Sequence, residues 1–380
     1  MTNTVYLDNA ATLYPKSDGV LEAMKKAFYC CGNGGRGSHP LSFAAADTVY
    51  SCRESLSALF GSESENVVLC SGATLALNMA IKGLYKESGT VLCSALEHNA
   101  VLRPLYALAS KGRIRLRFFS PSLVNSEETV AAFRAALTRD TALAVFTHAS
   151  NVCGLCLPVK ELCAIARSMG VRTVVDCAQT AGHIPINIRE MGADVLCIAG
   201  HKGLGGPMGT GALIVNPDFK GVINTLIEGG TGVASKERTM PTELPERLEA
   251  GTANIMGIAG LAAAVGELKL SPQREEALRV RLKEGLRSIK GVTVYGADAK
   301  AAYSPLVLFN VGDIPSDTVS ERLAEKGVCV RGGLHCAPLA HVLLKSGVYG
   351  GVRASFGRGN TEKDCDALLA AIEEIAYGKI

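Results

Sequence analysis

The sequence predicts an α/β fold, a doubly wound and mainly parallel sheet with a smaller α+β unit, on three observations. From about residue 60 to residue 215, apolar runs of strand length alternate with helix-like segments. Most of these runs are too apolar to alternate in and out, as expected of strands covered on both faces. Several are followed by polar residues, at the strand ends where an open parallel sheet binds its ligands. At 380 residues the chain exceeds what one core usually serves, so one large and one smaller domain are expected.

Taken in order, the first dozen or so residues are too short to stand alone and should pack near the cleft. The strand candidates of the large unit are residues 66–70, 90–94, 114–119, 142–147, 171–176, 193–199 and 211–215. A helix of small residues, 75–83, follows the first. Residues 217–254 are less regular and read as long surface or interface loops. A small-residue helix around 255–268 and a charged helix over 272–289 come next. Strand candidates 292–295, 306–311, 328–331 and 351–356 complete the smaller α+β unit.

Composition narrows the function classes. Apolar residues make up 48% and charged ones 20%, which describes a compact globular chain and not a disordered one. The net charge of +3 is small. The one basic alternation, Lys111-Gly112-Arg113-Ile114-Arg115-Leu116-Arg117, reads as a solvated strand edge and not a nucleic-acid track. No run reaches the roughly 18 apolar residues of a membrane span. The N-terminus lacks the pattern of a secretion signal, so a cytoplasmic location is expected. Many of the thirteen cysteines sit in apolar runs, where they act as small hydrophobes, and the Cys153/Cys156 pair reads as packing.

The chemistry-bearing residues follow the strands. Lys202, in Ala199-Gly200-His201-Lys202-Gly203, comes after an apolar run and cannot lie on a regular helix face. Held in a partly desolvated pocket, its amine would lose basicity and become a nucleophile toward an aldehyde. Asp176 closes another apolar run and needs a cation or a protonated ring nitrogen. Ser71-Gly72-Ala73-Thr74 opens a helix, whose free N–H groups can bind phosphate. His98 could stack on an aromatic ring, and the Asn151 amide could bind an oxygen anion. A Schiff-base lysine, an acid for a pyridine nitrogen and a phosphate cradle together describe pyridoxal 5'-phosphate.

On these residues the chain resembles the class V, fold-type I pyridoxal-phosphate enzymes, and within them the cysteine desulfurase and selenocysteine lyase family. The resemblance spans essentially the whole chain. It rests on Tyr6-Leu7-Asp8-Asn9-Ala10-Ala11-Thr12, Ser71-Gly72-Ala73-Thr74, Glu97-His98-Asn99, Ser150-Asn151-Val152-Cys153-Gly154, Asp176-Cys177-Ala178-Gln179, Gly200-His201-Lys202-Gly203, Gly251-Thr252-Ala253-Asn254 and Arg331-Gly332-Gly333-Leu334-His335-Cys336-Ala337-Pro338. It implies a large cofactor-binding domain over 16–255, with a mainly parallel mixed sheet. Residues 1–15 and 256–380 would form the small domain.

The resemblance also implies roles. Lys202 would be the Schiff-base lysine, Asp176 the partner of the pyridine nitrogen, and His98 the stacking ring. Gln179 would reach the phenolic oxygen. Gly72, Ala73, Thr74 and His201 would hold phosphate, with Thr252 reaching the phosphate of the other subunit of a homodimer. Asn151 and Arg353 would take the substrate carboxylate, with Asn9 on the substrate side. Many relatives carry serine where this chain has Ala199, so one phosphate hydroxyl is absent. Cys336 matches the sulfur-accepting cysteine, after a short connection from Arg331. The implied reaction is transfer of sulfur from L-cysteine to Cys336, giving L-alanine and a persulfide for a thiol or an acceptor protein. The alternatives in the same fold are a selenocysteine lyase, a cysteine/cystine β-lyase and an aminotransferase.

Overall fold

A computed structural model describes residues 4–35, 37–296 and 302–378. Its strands are β1 (Val5–Tyr6), β2 (Val67–Cys70), β3 (Thr90–Ser94), β4 (Arg115–Phe119), β5 (Thr141–Thr147), β6 (Arg172–Asp176), β7 (Val195–Ala199), β8 (Gly211–Val215), β9 (Val292–Tyr295), β10 (Leu306–Val311), β11 (Val328–Cys329) and β12 (Val352–Ser355). Its helices are α1 (Asp18–Cys30), α2 (Pro40–Phe60), α3 (Ala73–Leu84), α4 (Asn99–Ser110), α5 (Ser126–Ala136), α6 (Val159–Ser168), α7 (Ile188–Met191), α8 (Ile255–Gly266), α9 (Pro272–Ser288), α10 (Ser316–Glu325), α11 (Pro338–Leu344) and α12 (Glu362–Ala376).

β2 to β8 form one sheet in the order β2-β8-β7-β6-β5-β3-β4. Only β8 runs antiparallel to its neighbours. Successive side chains of a strand point to opposite faces, so each strand feeds two cores. On β5, Ala144 and Phe146 pack in one core with Phe60 of α2, Phe133 of α5 and Leu162 of α6. Leu143 and Val145 pack in the other with Leu77 and Ile81 of α3 and Val101 and Leu105 of α4. Both faces are therefore dry, which is why the sequence runs are continuously apolar. Strand β4 closes one edge, where Arg113 pairs with Glu87 at 3.0 Å and Arg115 with Asp140 at 2.5 Å.

The second unit is an antiparallel sheet in the order β12-β10-β9, covered by α9, α10 and α12. The N-terminal arm joins it: β1 pairs in parallel with β11, and Leu7 lies in the same core as Leu286, Phe309 and Ile372. The chain then turns back to the large sheet, where Leu13 N–H donates to His201 O at 3.0 Å. The expectation of a longer strand over 328–331 is not met, because its partner β1 has only two residues. Arg331 instead forms an isolated bridge with Arg353. Helix α8, grouped with the small unit in the sequence, packs against α1 and α2, and its Ile258 and Leu261 belong to a core of the large sheet. Among the described residues, no helix is long and apolar enough to cross a membrane.

Phe309 is fully buried at the centre of the small-unit core. Phe309→Ala is expected to lower the unfolding free energy of this unit by roughly 3–5 kcal/mol. Urea titration of the isolated variant and the parent checks this, and a loss below about 1 kcal/mol would contradict this core assignment.

Candidate functional site

The carboxyl ends of β2, β3, β5, β6 and β7 converge on a cavity of about 190 Å³. Gly72, Ala73, Thr74, His98, Asn151, Asp176, Gln179, His201 and Lys202 line it, as does Ala199. The parallel sheet brings together residues spread over 130 positions because its strands all deliver their ends to one side.

At one end of the cavity α3 begins. Gly72 is its N-cap, and its carbonyl accepts from the Leu75 and Ala76 N–H groups. The N–H groups of Ala73 and Thr74 have no protein acceptor among the described residues. Nearby, His201 lines the cavity with its Nδ1 buried and unpartnered. Burial, with Lys202 and Lys16 adding, pushes the His201 pKa down to about 4, so the ring is neutral. Free helix-start donors, the Thr74 hydroxyl and an orphaned imidazole nitrogen suit a phosphate.

Asp176 and Lys202 occupy the floor. Asp176 is 5% exposed, and one carboxylate oxygen accepts from Ala178 N–H at 2.9 Å. Burial raises its pKa, while the Ala178 N–H and the Lys202 charge pull it down. Lys202 opens partly to the cavity and is otherwise enclosed by protein. Burial lowers its pKa to about 8, against the stabilising charge of Asp176, with Arg353 lowering it further. The loop that follows can lie close because Gly182, at φ 88°, has no side chain. A Cβ there would sit 2.2 Å from the Gly203 carbonyl carbon.

His98 is the N-cap of α4, and its Nδ1 accepts from Ala100 N–H at 3.0 Å. Burial first, then Lys202, Arg353 and Arg103, lower its pKa to about 4. The ring is thus neutral and carries its hydrogen on Nε2. Beneath it Glu97 is fully buried. Its Oε1 accepts from Ser94 Oγ and from Thr147 N–H at 2.7 Å, while Oε2 has no partner. Burial, with Asp176 adding, pushes the Glu97 pKa up to about 8, so it is a carboxylic acid at neutral pH. The sequence marked Glu97 only as a neighbour of His98. Gln179 donates one amide hydrogen to Ala10 O at 3.1 Å, leaving its second for a ligand.

Cys336 is exposed and does not line the cavity, but its loop is fastened to the cavity's rim. Asn151 Nδ2 donates to His335 O at 2.7 Å, and Asn99 N–H donates to Cys336 O at 2.7 Å. His335 and Cys336 both adopt left-handed conformations, with φ 50° and 55°. Each costs about 1–2 kcal/mol for a residue with a Cβ, so surrounding bonds must hold the turn. Cys153, Cys156, Cys163 and Cys177 are by contrast buried, and burial raises their thiol pKa values. Among the described residues, no group of three or more His, Cys, Asp or Glu is placed to hold a metal.

Three sequence-named residues stand elsewhere. Asn9 is buried outside the cavity lining, and its amide bonds to Tyr6 O, Ser355 O and Asn360 Oδ1 at 3.3, 3.0 and 3.1 Å. These bonds fasten the N-terminal arm to the small unit. Thr252 is exposed and outside the lining. Arg353 is buried behind Asn151: Nη1 donates to Asn151 O at 2.9 Å and Nη2 to Asp8 Oδ1 at 3.2 Å. Its Nε remains buried without a partner, a free donor close to the site. Asp8, which also accepts a fork from Arg331 at 2.7–3.2 Å, was not singled out as a site residue in the sequence.

The fold and the site define a fold-type I pyridoxal-phosphate enzyme architecture. The class-V aminotransferase family profile matches residues 5–368. A "probable cysteine desulfurase" of Methanothermobacter thermautotrophicus is 32% identical, over 98% of this chain and 94% of that protein. A cysteine desulfurase of Yersinia pestis is 30% identical over 98% of this chain and 93% of its own. The apo structure of a cysteine desulfurase from Thermococcus onnurineus superposes with a TM-score of 0.91 at 31% identity, covering 99% of this chain and 95% of that one. The chain belongs to the class-V aminotransferase family and, within it, to the cysteine desulfurase family.

In cofactor-free protein, methylation of Lys202 by formaldehyde and borohydride is expected to rise with a midpoint near pH 8, where its lowered pKa lies. An ordinary lysine titrates near 10.4. Asp176→Asn should move this midpoint lower, because the carboxylate favours the ammonium form. Peptide mass analysis against pH reads both, and an unmoved midpoint would mean that Asp176 bears no charge there.

Proposed function

We propose that this chain is a pyridoxal-phosphate-dependent cysteine desulfurase that moves sulfur from L-cysteine to Cys336 and releases L-alanine. The observation that carries the reading is the strained loop holding exposed Cys336, tied by Asn151 and Asn99 to the rim of the Lys202–Asp176 cavity. The donor set fits the cofactor. Ala73 and Thr74 N–H groups with His201 would hold its phosphate, Asp176 its ring nitrogen, Gln179 its phenolic oxygen and Lys202 its aldehyde carbon.

When bound, the cofactor withdraws electrons from Cα of an amino acid, making its proton removable and its Cβ–S bond breakable. Lys202, freed by the incoming amine, takes that proton; a pKa of about 8 suits a base that must also give it back near neutrality. Neutral His98, with its hydrogen on Nε2, would lie over the ring and can offer that N–H as a hydrogen-bond donor. The unpaired Arg353 Nε and the Asn151 side chain would orient the substrate carboxylate. The Cys336 thiolate attacks the substrate sulfur. An S–S bond forms, the C–S bond breaks, and its electron pair stays on carbon, which takes a proton to become alanine. Exposure of Cys336 then lets the persulfide pass to a thiol or an acceptor protein.

A homodimer belongs to the same reading. Phe28, Tyr29, Phe43 and Tyr50 on α1 and α2 are more than half exposed, an apolar face that a second copy would cover. Helix α8 packs on both, and Thr252 stands just before it, exposed, where it would face a second copy. Sedimentation of the protein should give a dimer, and Phe43→Glu with Tyr50→Glu a monomer. A parent that sediments as a monomer would refute this.

The reaction is tested by incubating the purified, cofactor-loaded protein with L-cysteine. The parent should release alanine, Cys336→Ala should lose at least about 99% of it as expected for a lost nucleophile, and Lys202→Ala should lose the visible Schiff-base absorbance. Pyruvate as the main product would indicate a β-lyase. Alanine formation that needs a keto acid would indicate an aminotransferase. Full turnover in Cys336→Ala would sink the desulfurase reading.

A further inference from the structure

Three bonds behind the Cys336 loop form a chain that the reaction as described does not use. Ser346 Oγ lies 2.6 Å from His341 Nδ1, His341 Nε2 lies 3.2 Å from His335 Nδ1, and His335 Nε2 lies 3.2 Å from Arg331 O. All three side chains are buried, His341 and Ser346 at 3% exposure. The imidazole rings are 17° from coplanar with centroids 5.4 Å apart, which is an edge-to-edge hydrogen bond and not a face-to-face stack.

One proton arrangement satisfies every atom. A carbonyl only accepts, so His335 Nε2 must donate to Arg331 O, leaving His335 Nδ1 as acceptor. His341 Nε2 then donates to it, and His341 Nδ1 accepts from the Ser346 hydroxyl. Both rings are neutral: burial, with Arg353 adding, lowers the pKa of His335 to about 3 and that of His341 to about 4. The chain reaches from Ser346, just beyond α11, to the peptide between Arg331 and Cys336. It passes through His335, whose backbone is left-handed, immediately before the thiol.

We propose that His341 and Ser346 are positioning residues for Cys336, acting through the His335 ring to hold the left-handed turn that aims the thiol at the cavity. The proposal rests on the desulfurase reading for its role in turnover, and on the geometry alone for its effect on the thiol. Asn151 and Asn99 grip the carbonyls of His335 and Cys336 from the cavity side. The serine–histidine–histidine chain grips the His335 side chain from behind. With both grips in place the turn has one conformation; with the rear grip gone, residues 335 and 336 can relax toward ordinary backbone angles and swing the sulfur away. A buried aromatic of similar shape at 341 would fill the space but could not donate to His335 Nδ1.

The test uses the cofactor-loaded protein with His341→Phe, His341→Gln and Ser346→Ala. Schiff-base absorbance first confirms that each variant is folded. His341→Phe should slow single-turnover formation of the Cys336 persulfide by roughly tenfold to a hundredfold, as misplacement by about 1 Å does. The KM for L-cysteine should stay near that of the parent, and the rate of Cys336 alkylation by iodoacetamide should change. Gln, whose amide can donate to His335, should recover most of the loss. Parent-like persulfide and alkylation rates in His341→Phe would overturn the proposal. If that variant does not fold, Ser346→Ala decides by the same two rates. If the parent makes neither persulfide nor alanine, the desulfurase reading fails separately. The alkylation comparison then decides alone, an altered rate supporting positioning and an unaltered one refuting it.

Discussion

The site depends on a carboxylate placed where water is scarce. Asp176 ends β6 in the middle of the sheet, with dry cores on both faces and, among the described residues, only the Ala178 N–H donating to it. A buried charge left without a partner costs about 3–5 kcal/mol, so the surroundings must supply a cation. Lys202, three residues past the end of neighbouring β7, supplies one from the protein. The influence is electrostatic and reciprocal: the ammonium lowers the Asp176 pKa, and the carboxylate limits how far burial depresses that of Lys202. A ligand with a protonated ring nitrogen can take over the partnership with Asp176, freeing the amine for covalent chemistry.

A second constraint joins the two units. Asp8 accepts from Arg331 and Arg353, and Arg353 donates to the Asn151 carbonyl. The N-terminal arm, the small sheet and the loop after β5 therefore share one network. The cavity is built by the large sheet, whereas the cysteine comes from the small unit. This network, with the two bonds from Asn151 and Asn99 to the cysteine loop, fixes the distance between amine and thiol. Removing Asp8 would leave Arg353 buried with one fewer acceptor and loosen that registration.

Much of this was readable before folding. Continuous apolar runs located all seven strands of the large sheet, two with both ends matching, because a strand buried on both faces can carry almost no polar residue. The polar residues just beyond them were readable as ligand-facing for the same topological reason. Helices α1 and α2 were not identified. Leu41, Phe43 and Tyr50 are exposed on α2 while Leu56 and Phe60 are buried, so its apolar residues do not follow one helical face. The bonds of the Asn9 amide to Ser355 and Asn360 were not legible, because they join residues that only the fold brings together.

The sequence by itself determined the sheet, the lysine and aspartate at its strand ends, the helix start for phosphate and the candidate thiol. These are local properties: hydrophobic run length, turn chemistry and the identity of the residue after each strand. Only the tertiary structure decided which groups are spent and which are free. It commits the Asn9 amide to the arm, leaves His201 Nδ1 and Arg353 Nε unpaired, protonates Glu97 by burial and ties Ser346, His341 and His335 behind Cys336. Hydrogen-bond satisfaction and desolvation depend on neighbours brought together over as many as 354 positions, as Tyr6 and Asn360 are, and no local pattern encodes them.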